Sequence, residues 1–337
     1  MAGYDLSNRL VIGIASSALF NLDESGRVFN EQGPAAYLAY QREHLDDTLR
    51  PGVAYPFVRR LLSLNDLSAD PDDPLVEVIV LSRNSPETGL RVMRSIAAHE
   101  LPITRAIFTE GRAPFPYMEP LNMALFLSAD AADVRQAVEN GLPAGHVQES
   151  PGLDDDPLDR GLRVAFDFDS VLADDASEQV YASGGLHRFQ EHELANQNLA
   201  HEPGPLRELL RRLNQIQAEE ERRREDLPGY RMRLRVSVVT ARSAPAHERA
   251  LWSLREWGLR VNDAFFLGGI AKGPILETLR PHIFFDDQQL HLTSESVPSV
   301  HIPFGVRNAE PRPGRGGPPT SRTPPPSDTT MQHTWLP

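Results

Sequence analysis

Arg163-Val-Ala-Phe-Asp-Phe-Asp-Ser-Val-Leu172 is the stretch on which the reading of the fold turns. Val164 to Phe166 are β-formers that run directly into Asp167 and Asp169. An apolar strand ending in Asp-x-Asp carries both carboxylates at its carboxyl tip, the edge at which open α/β sheets bind ligands. Residues two apart on an extended chain point the same way, so the two carboxylates converge on one small volume. They repel one another unless a cation lies between them, and a hard, oxygen-loving ion such as magnesium suits them best. A lone Asp-x-Asp after a strand is ordinarily an acidic turn. Three later stretches change that reading.

Val236-Ser-Val-Val-Thr-Ala-Arg-Ser243 is a second strand, ending in a hydroxyl and small residues whose backbone N–H groups suit a phosphate. Lys272 lies where Gly268-Gly-Ile-Ala-Lys-Gly-Pro274 enters a helix at Pro274, and it offers a point charge for a phosphate. Pro281-His-Ile-Phe-Phe-Asp-Asp-Gln288 is a third strand, tipped by Asp286 and Asp287. Taken singly, these are a strand-end threonine, a surface lysine and a helix-capping aspartate. As an ordered set at strand ends they are far more specific.

With these motifs the sequence resembles the haloacid-dehalogenase-like (HAD) phosphohydrolases and, more narrowly, the cytosolic 5′-nucleotidase type I family. The likeness rests on Phe166-Asp-Phe-Asp-Ser-Val-Leu172, Val239-Thr-Ala-Arg-Ser243, Ala271-Lys-Gly-Pro274 and Arg280-Pro-His-Ile-Phe-Phe-Asp-Asp-Gln288, with Phe189-Gln-Glu-His-Glu193 beside them. It runs from Leu10 to Phe304. It implies an α/β fold of HAD-like, Rossmannoid parallel sheets with helices on both faces and a small cap insert.

The resemblance also implies hydrolysis of nucleoside 5′-monophosphates, AMP being the first to test. Asp167 would be the nucleophile that forms an aspartyl-phosphate, and Asp169 the general acid and base. Thr240 and Lys272 would hold the phosphoryl oxygens. Mg2+ would be bound by Asp167, the Asp169 backbone carbonyl and Asp286, with Asp287 adjacent. Phe168, Ser170, Ala241, Arg242 and His192 are expected around the substrate, with Arg83 and Asn84 reaching it from the first half. Phe168 departs from the pattern, which has a small residue between the aspartates; its ring is expected to narrow the pocket. Two other readings use the same residues: a phosphotransferase or a phosphatase for another small phosphomonoester, and a nucleotide-binding regulator without catalysis. The complete set of acidic and basic groups counts against the last.

Composition bounds the rest. The 337 residues carry a net charge of −13 and no cysteine, which excludes disulfides, thiolate zinc sites and a cysteine nucleophile. A basic face for nucleic acid is not expected at that charge. No apolar run reaches 18 residues and the first residues lack the pattern of a signal peptide, so a cytoplasmic protein without a membrane partner is expected. Whether copies of the chain associate is left open.

The two halves echo one another at a separation of about 150 residues. Arg59-Arg-Leu-Leu-Ser-Leu-Asn65 matches Arg207-Glu-Leu-Leu-Arg-Arg-Leu-Asn214, and Val80-Leu-Ser-Arg-Asn84 matches Val238-Val-Thr-Ala-Arg242. The expected organisation is a duplicated α/β unit. Residues 1–147 form a silent copy, with Ile14, Ser16 and Ser128 where the other has aspartates, and 148–161 a linker. Residues 162–307 form the catalytic copy, with a cap insert over about 174–233, and 308–337 a disordered Pro-rich tail. Within the first copy Asn21 to Gly26 reads as a turn and Gly33 to Leu45 as a helix. The helix over 206–224 reads as part of the cap, its charge run a solvated face.

Overall fold

The computed structural model describes residues 4–149, 156, 158–292 and 296–309. The tail from 310 onward and residues 150–155 and 157 of the expected linker lie outside them. In the first half the elements are β1 (Leu10–Ile14), α1 (Ser16–Leu19), α2 (Asp23–Glu43), α3 (Tyr55–Ser63), β2 (Val76–Ser82), α4 (Pro86–Ala98), β3 (Arg105–Phe108), β4 (Met123–Ser128), α5 (Ala131–Glu139) and β5 (Ala144–Val147). The second half follows with β6 (Leu162–Phe166), α6 (Ala176–Ala195), α7 (Arg207–Asp226), β7 (Leu234–Thr240), α8 (His247–Glu256), β8 (Asp263–Phe266), α9 (Gly273–Leu279), β9 (Ile283–Asp286) and β10 (Ser299–His301).

Among the described residues all the strands join in one sheet of order β3-β2-β1-β4-β5-β10-β9-β6-β7-β8. Each half contributes five parallel strands in the same winding order, and the halves meet where β5 and β10 run antiparallel. The carboxyl ends of the first half's strands therefore open on one edge of the sheet, and those of the second half on the other. Near-continuous apolar runs form these strands because helices cover both faces. Val164 and Phe166 of β6 enter the main core, which spans both halves, while Ala165 between them packs with Leu276 and Phe284 on the opposite face.

Fine local details repeat between the halves. Both α2 and α6 are broken by a glycine in a conformation that essentially only glycine adopts, Gly33 (φ 85°, ψ 179°) and Gly185 (φ 68°, ψ −169°). Isolated bridges pair Phe20 with Pro51 and Ala173 with Pro203. The Gly52 N–H donates to Leu19 O at 2.8 Å, and the Gly204 N–H to Leu172 O at 2.8 Å. Shared βαβ winding alone does not generate such details. Two copies of one unit would share them.

Three expectations are corrected. Helix α2 begins at Asp23, where a turn was expected; Asp23 and Glu24 in its first turn suit the helix dipole, and the break falls at Gly33. Strand β5 was not anticipated, because it is short and contains Gly145, whose added Cβ would lie 2.3 Å from Val300 Cγ1. The insert over 174–233 is only partly a cap. Leu209, Leu210, Leu213 and Ile216 of α7 lie in the main core against strands of both halves, and only the opposite face of that helix is the charged surface expected.

The turn at Gly204 gives a stability test. A Cβ there would stand 2.2 Å from Ala173 O and 2.8 Å from Val171 O, whereas one at Gly26 meets nothing within 4 Å. Gly204→Ala is expected to lose about 1–3 kcal/mol in denaturant unfolding, and Gly26→Ala to lose nothing. Equal stability of the two variants would refute the close crossing.

Candidate active site and metal centre

Strand β6 ends at Phe166, and the backbone N–H of Asp167 still donates to Phe285 O of β9 at 2.8 Å. That ladder fixes the side chain at the sheet edge beside the tip of β9, which carries Asp286. Lys272, at the N-terminus of α9, places Nζ 2.9 Å from Asp167 Oδ2 and 2.6 Å from Asp286 Oδ2. His291 Nδ1 lies 3.1 Å from both Asp286 oxygens. Asp287 is buried next to them, and neither of its carboxylate oxygens has a hydrogen-bond partner among the described residues.

Three buried carboxylates thus face one ammonium. Burial pushes the Asp167 carboxyl up to about 7, against the pull of Lys272 and with help from Asp286 and Asp169. Burial, and then the charges of Asp167 and Asp286, push Asp287 up to about 9. Burial also acts on Asp286, but Lys272 and His291 outweigh it and hold its pKa below the ordinary value. Burial disfavours the Lys272 ammonium, yet Asp167 and Asp286 raise its pKa above normal. The cluster is short of positive charge.

A cation would supply what is missing, and the residues fit one. Asp167, Asp286 and His291 bring ligand atoms within 4.8 Å of one another, and Asp287, next to Asp286 in the chain but outside that set, has both carboxylate oxygens unpartnered among the described residues. Hard carboxylate oxygens dominate the set. His291 is the residue that sequence reasoning missed. Its only signal is that it follows Asp286 by five positions.

Asp169 belongs to a second cluster. Arg242 grips it with a fork, Nε 2.7 Å from Oδ2 and one terminal nitrogen 2.6 Å from Oδ1. The other N–H groups of Arg242 donate to Glu193, to Ala246 O and towards His201 Nε2. Glu193, from α6, also accepts from Arg249 at 2.9 Å and from the Ser177 hydroxyl at 2.8 Å. Burial would raise the Glu193 pKa, but His201 and Arg242 hold it far below the carboxylate range.

Residues 2–309 match the family described as 5′-nucleotidase. The chain belongs to the 5′-nucleotidase family. It is also 33% identical over 290 residues to Cytosolic 5′-nucleotidase 1B of Homo sapiens, an alignment that covers 85% of this chain and 47% of that protein. The chain therefore spans about half the length of that relative. Among solved structures, a histidinol dehydrogenase from Elizabethkingia anophelis aligns over 72% of this chain and 48% of its own, at 10% identity and a TM-score of 0.20, too poor a superposition to bear on the fold. Among the described residues no helix is long and apolar enough to cross a membrane.

Within this member of the 5′-nucleotidase family, Asp167, Lys272, Asp286 and Asp287 come together, and Asp169 and Thr240 border them. The Thr240 hydroxyl oxygen accepts the Arg242 backbone N–H at 3.3 Å. Ser170, held at φ 58°, is fully buried, and its Oγ has no partner among the described residues. Ala241 is exposed at the tip of β7, and half-buried His192 leans on Glu193 at 3.0 Å.

The other residues expected at the substrate have partners within the protein. Phe168 does not narrow a pocket: it is fully buried, stacked on Trp257 at 6.2 Å, with the Arg242 guanidinium 5.1 Å from its ring. Arg242 has committed all five of its N–H groups to protein partners, so none is left for a phosphate. Arg83 and Asn84 follow β2, whose carboxyl end opens on the opposite edge of the sheet from Asp167. There Arg83 is paired with Asp133 and Gly111 O, and Asn84 accepts from Tyr37. On that edge a cavity of about 1280 Å³ opens among Ser17, Asn21, Arg27, Tyr55 and Gln148.

The raised carboxyls give a signed pH prediction. The folded state keeps protons on Asp167 and Asp287 at pH values where an unfolded aspartate, with its pKa of 3.8, has lost them. Stability therefore falls as pH rises through about 7 and on towards about 9. Chelator-treated protein should show a Tm that declines over this range, and Asp287→Asn should flatten the upper part of the decline. A Tm that climbs from pH 6 to 9 would contradict the charge deficit.

Proposed function

We propose that this chain is a magnesium-dependent 5′-nucleotidase of the HAD type that hydrolyses nucleoside 5′-monophosphates, AMP first, in the cytoplasm. The observation that carries this reading is the convergence of Asp167, Lys272 and Asp286 at neighbouring strand ends, inside a chain matched almost throughout by the 5′-nucleotidase family. A phosphate monoester dianion repels nucleophiles, so the site must neutralise it before attack. Lys272 contributes part of that charge. Magnesium, held by Asp167, the Asp169 backbone carbonyl and Asp286 with Asp287 adjacent, would supply the rest when bound, and His291 would orient the Asp286 carboxylate through its ring N–H.

The chain's own residues then divide the reaction. An Asp167 carboxylate oxygen attacks phosphorus in line, and the bond from phosphorus to the ribose 5′-oxygen breaks. Asp169 gives its proton to that oxygen, and the nucleoside leaves. Asp169, now a carboxylate, takes a proton from the water that attacks the aspartyl-phosphate. Asp167 is regenerated and phosphate departs. Lys272 and the Thr240 hydroxyl hold the phosphoryl oxygens as charge spreads in the transition state. Asp167 and Thr240 lie at strand tips, where backbone ladders hold them in place before substrate arrives.

Phosphate release from AMP in the presence of magnesium is the direct assay. Asp167→Asn, isosteric but a poor nucleophile, is expected to lower kcat by about a thousand-fold or more while Tm holds. Chelation should abolish turnover and magnesium restore it. Near-normal release by the variant would sink the covalent mechanism. Binding of AMP by the wild-type chain without any phosphate release would favour the regulator reading.

A further inference from the structure

The two halves share a buried scaffold beneath their sheet edges. Arg91 of α4 donates to Asp47 O at 3.0 Å, and Arg249 of α8 to Leu199 O at 2.9 Å. Ser95 Oγ accepts the Leu49 N–H at 3.0 Å, and Ser253 Oγ accepts the His201 N–H at 3.0 Å. Each arginine then reaches a polar side chain on the kinked helix: Arg91 meets Gln41, and Arg249 meets Glu193. Gln41 is therefore the structural counterpart of Glu193.

Two further correspondences follow from the same landmarks. Asn84 precedes Arg91 by seven positions, as Arg242 precedes Arg249. Counting back from the equivalent carbonyls of Leu19 and Leu172, Ser16 answers to Asp169 and Ala15 to Phe168. The first half keeps the scaffold and lacks the charges: Ser16, Asn84 and Gln41 stand where the second half has Asp169, Arg242 and Glu193. The ring of Phe168 is absent along with the guanidinium it supports. The first half thus folds with these contacts and without the charged triad.

We propose that Phe168, Arg242 and Glu193 are positioning residues that serve Asp169 as the proton donor to the leaving 5′-oxygen. This rests on the role given to Asp169 above. The Arg242 fork takes one lone pair on each carboxylate oxygen and leaves the other free, which sets the plane from which the proton is delivered. The guanidinium itself cannot rotate away. It lies between the rings of Phe168 and Phe189, 5.1 Å and 5.4 Å from their centres, and Glu193 anchors its remaining terminal nitrogen. Glu193 balances Arg242 and Arg249 together and joins this arrangement to α6, which lies over the site.

The test compares Arg242→Lys, Asp169→Asn and the double variant. Lysine keeps the charge and loses the fork. On AMP, Arg242→Lys is expected to lower kcat by about 10- to 100-fold with KM almost unchanged, a loss within the range of general acid catalysis. On 4-nitrophenyl phosphate, whose leaving group needs no proton, the loss should shrink to about threefold or less. In the Asp169→Asn background, Arg242→Lys should cost nothing further on AMP, since its effect passes through that carboxylate. Arg242→Asn/Glu193→Gln, which installs the first half's residues, should keep the fold, read as a cooperative melt, and show the same AMP-selective loss. Multiplying losses in the double variant, or a raised KM with kcat intact, would overturn the positioning role and make Arg242 a phosphate ligand. Near-normal AMP turnover by Asp169→Asn would instead overturn the acid assignment on which the inference rests.

Discussion

Burying several carboxylates within one sheet edge is the constraint around which the second half is built. Asp167, Asp169, Glu193, Asp286 and Asp287 are all buried. An isolated ionised carboxylate in such surroundings is strongly disfavoured, so each must be paired, protonated or metal-bound. The pairing is uneven. Asp169 and Glu193 sit with Arg242 and Arg249, one guanidinium for each carboxyl group. Asp167, Asp286 and Asp287 share Lys272, and the shortage appears as raised pKa values on Asp167 and Asp287. The side of the site that holds the nucleophile is thus unfinished without a cation, and the side that holds the acid is complete.

The antiparallel seam between β5 and β10 decides what the first half contributes. It lets the halves share one sheet and one main core, with α7 of the second half packed against strands of the first. Arg60 of α3 donates to the backbone carbonyl of Gly161, just before β6. Yet the same antiparallel meeting turns the first half's strand tips towards the other edge. The first half supports the strand that carries the nucleophile from below, and its own tips, Ser16, Arg83 and Ser128, look elsewhere.

What the sequence disclosed followed from range. Strands β6 and β7 were legible because largely apolar runs need both faces covered, Asp167, Thr240 and Asp286 because each stands at the end of a strand, and Lys272 because it stands where a glycine-rich loop enters a helix at Pro274. Helix α7 misled because its Glu/Arg run is loud while its buried stripe, Leu209, Leu210, Leu213 and Ile216, is spread over two turns. Arg242 was legible as a functional residue but its direction was not. An arginine after a strand can face a phosphate or a carboxylate, and the choice depends on Glu193 and Phe189, some fifty residues away in sequence. His201 and His291 were out of reach for the same reason: their roles are set by neighbours that only the fold supplies.

The duplicated half offers an internal reference for separating structure from chemistry. Where the second half forms a charged fork, the first joins Ser16 and Ser82 through their hydroxyls at 2.9 Å and lets Tyr37 donate to Asn84 at 3.1 Å. Neutral hydrogen bonds satisfy the same buried volume, and they avoid the desolvation of three charged groups, Arg91 alone being kept as the counterpart of Arg249. A buried ion-pair network is weak evidence for stability when a neutral version of the same scaffold stands beside it. Stability alone therefore does not account for Asp169, Arg242 and Glu193 in the second half. What they add, and hydroxyls and amides cannot, is a carboxyl group held in one orientation with a fixed positive charge behind it.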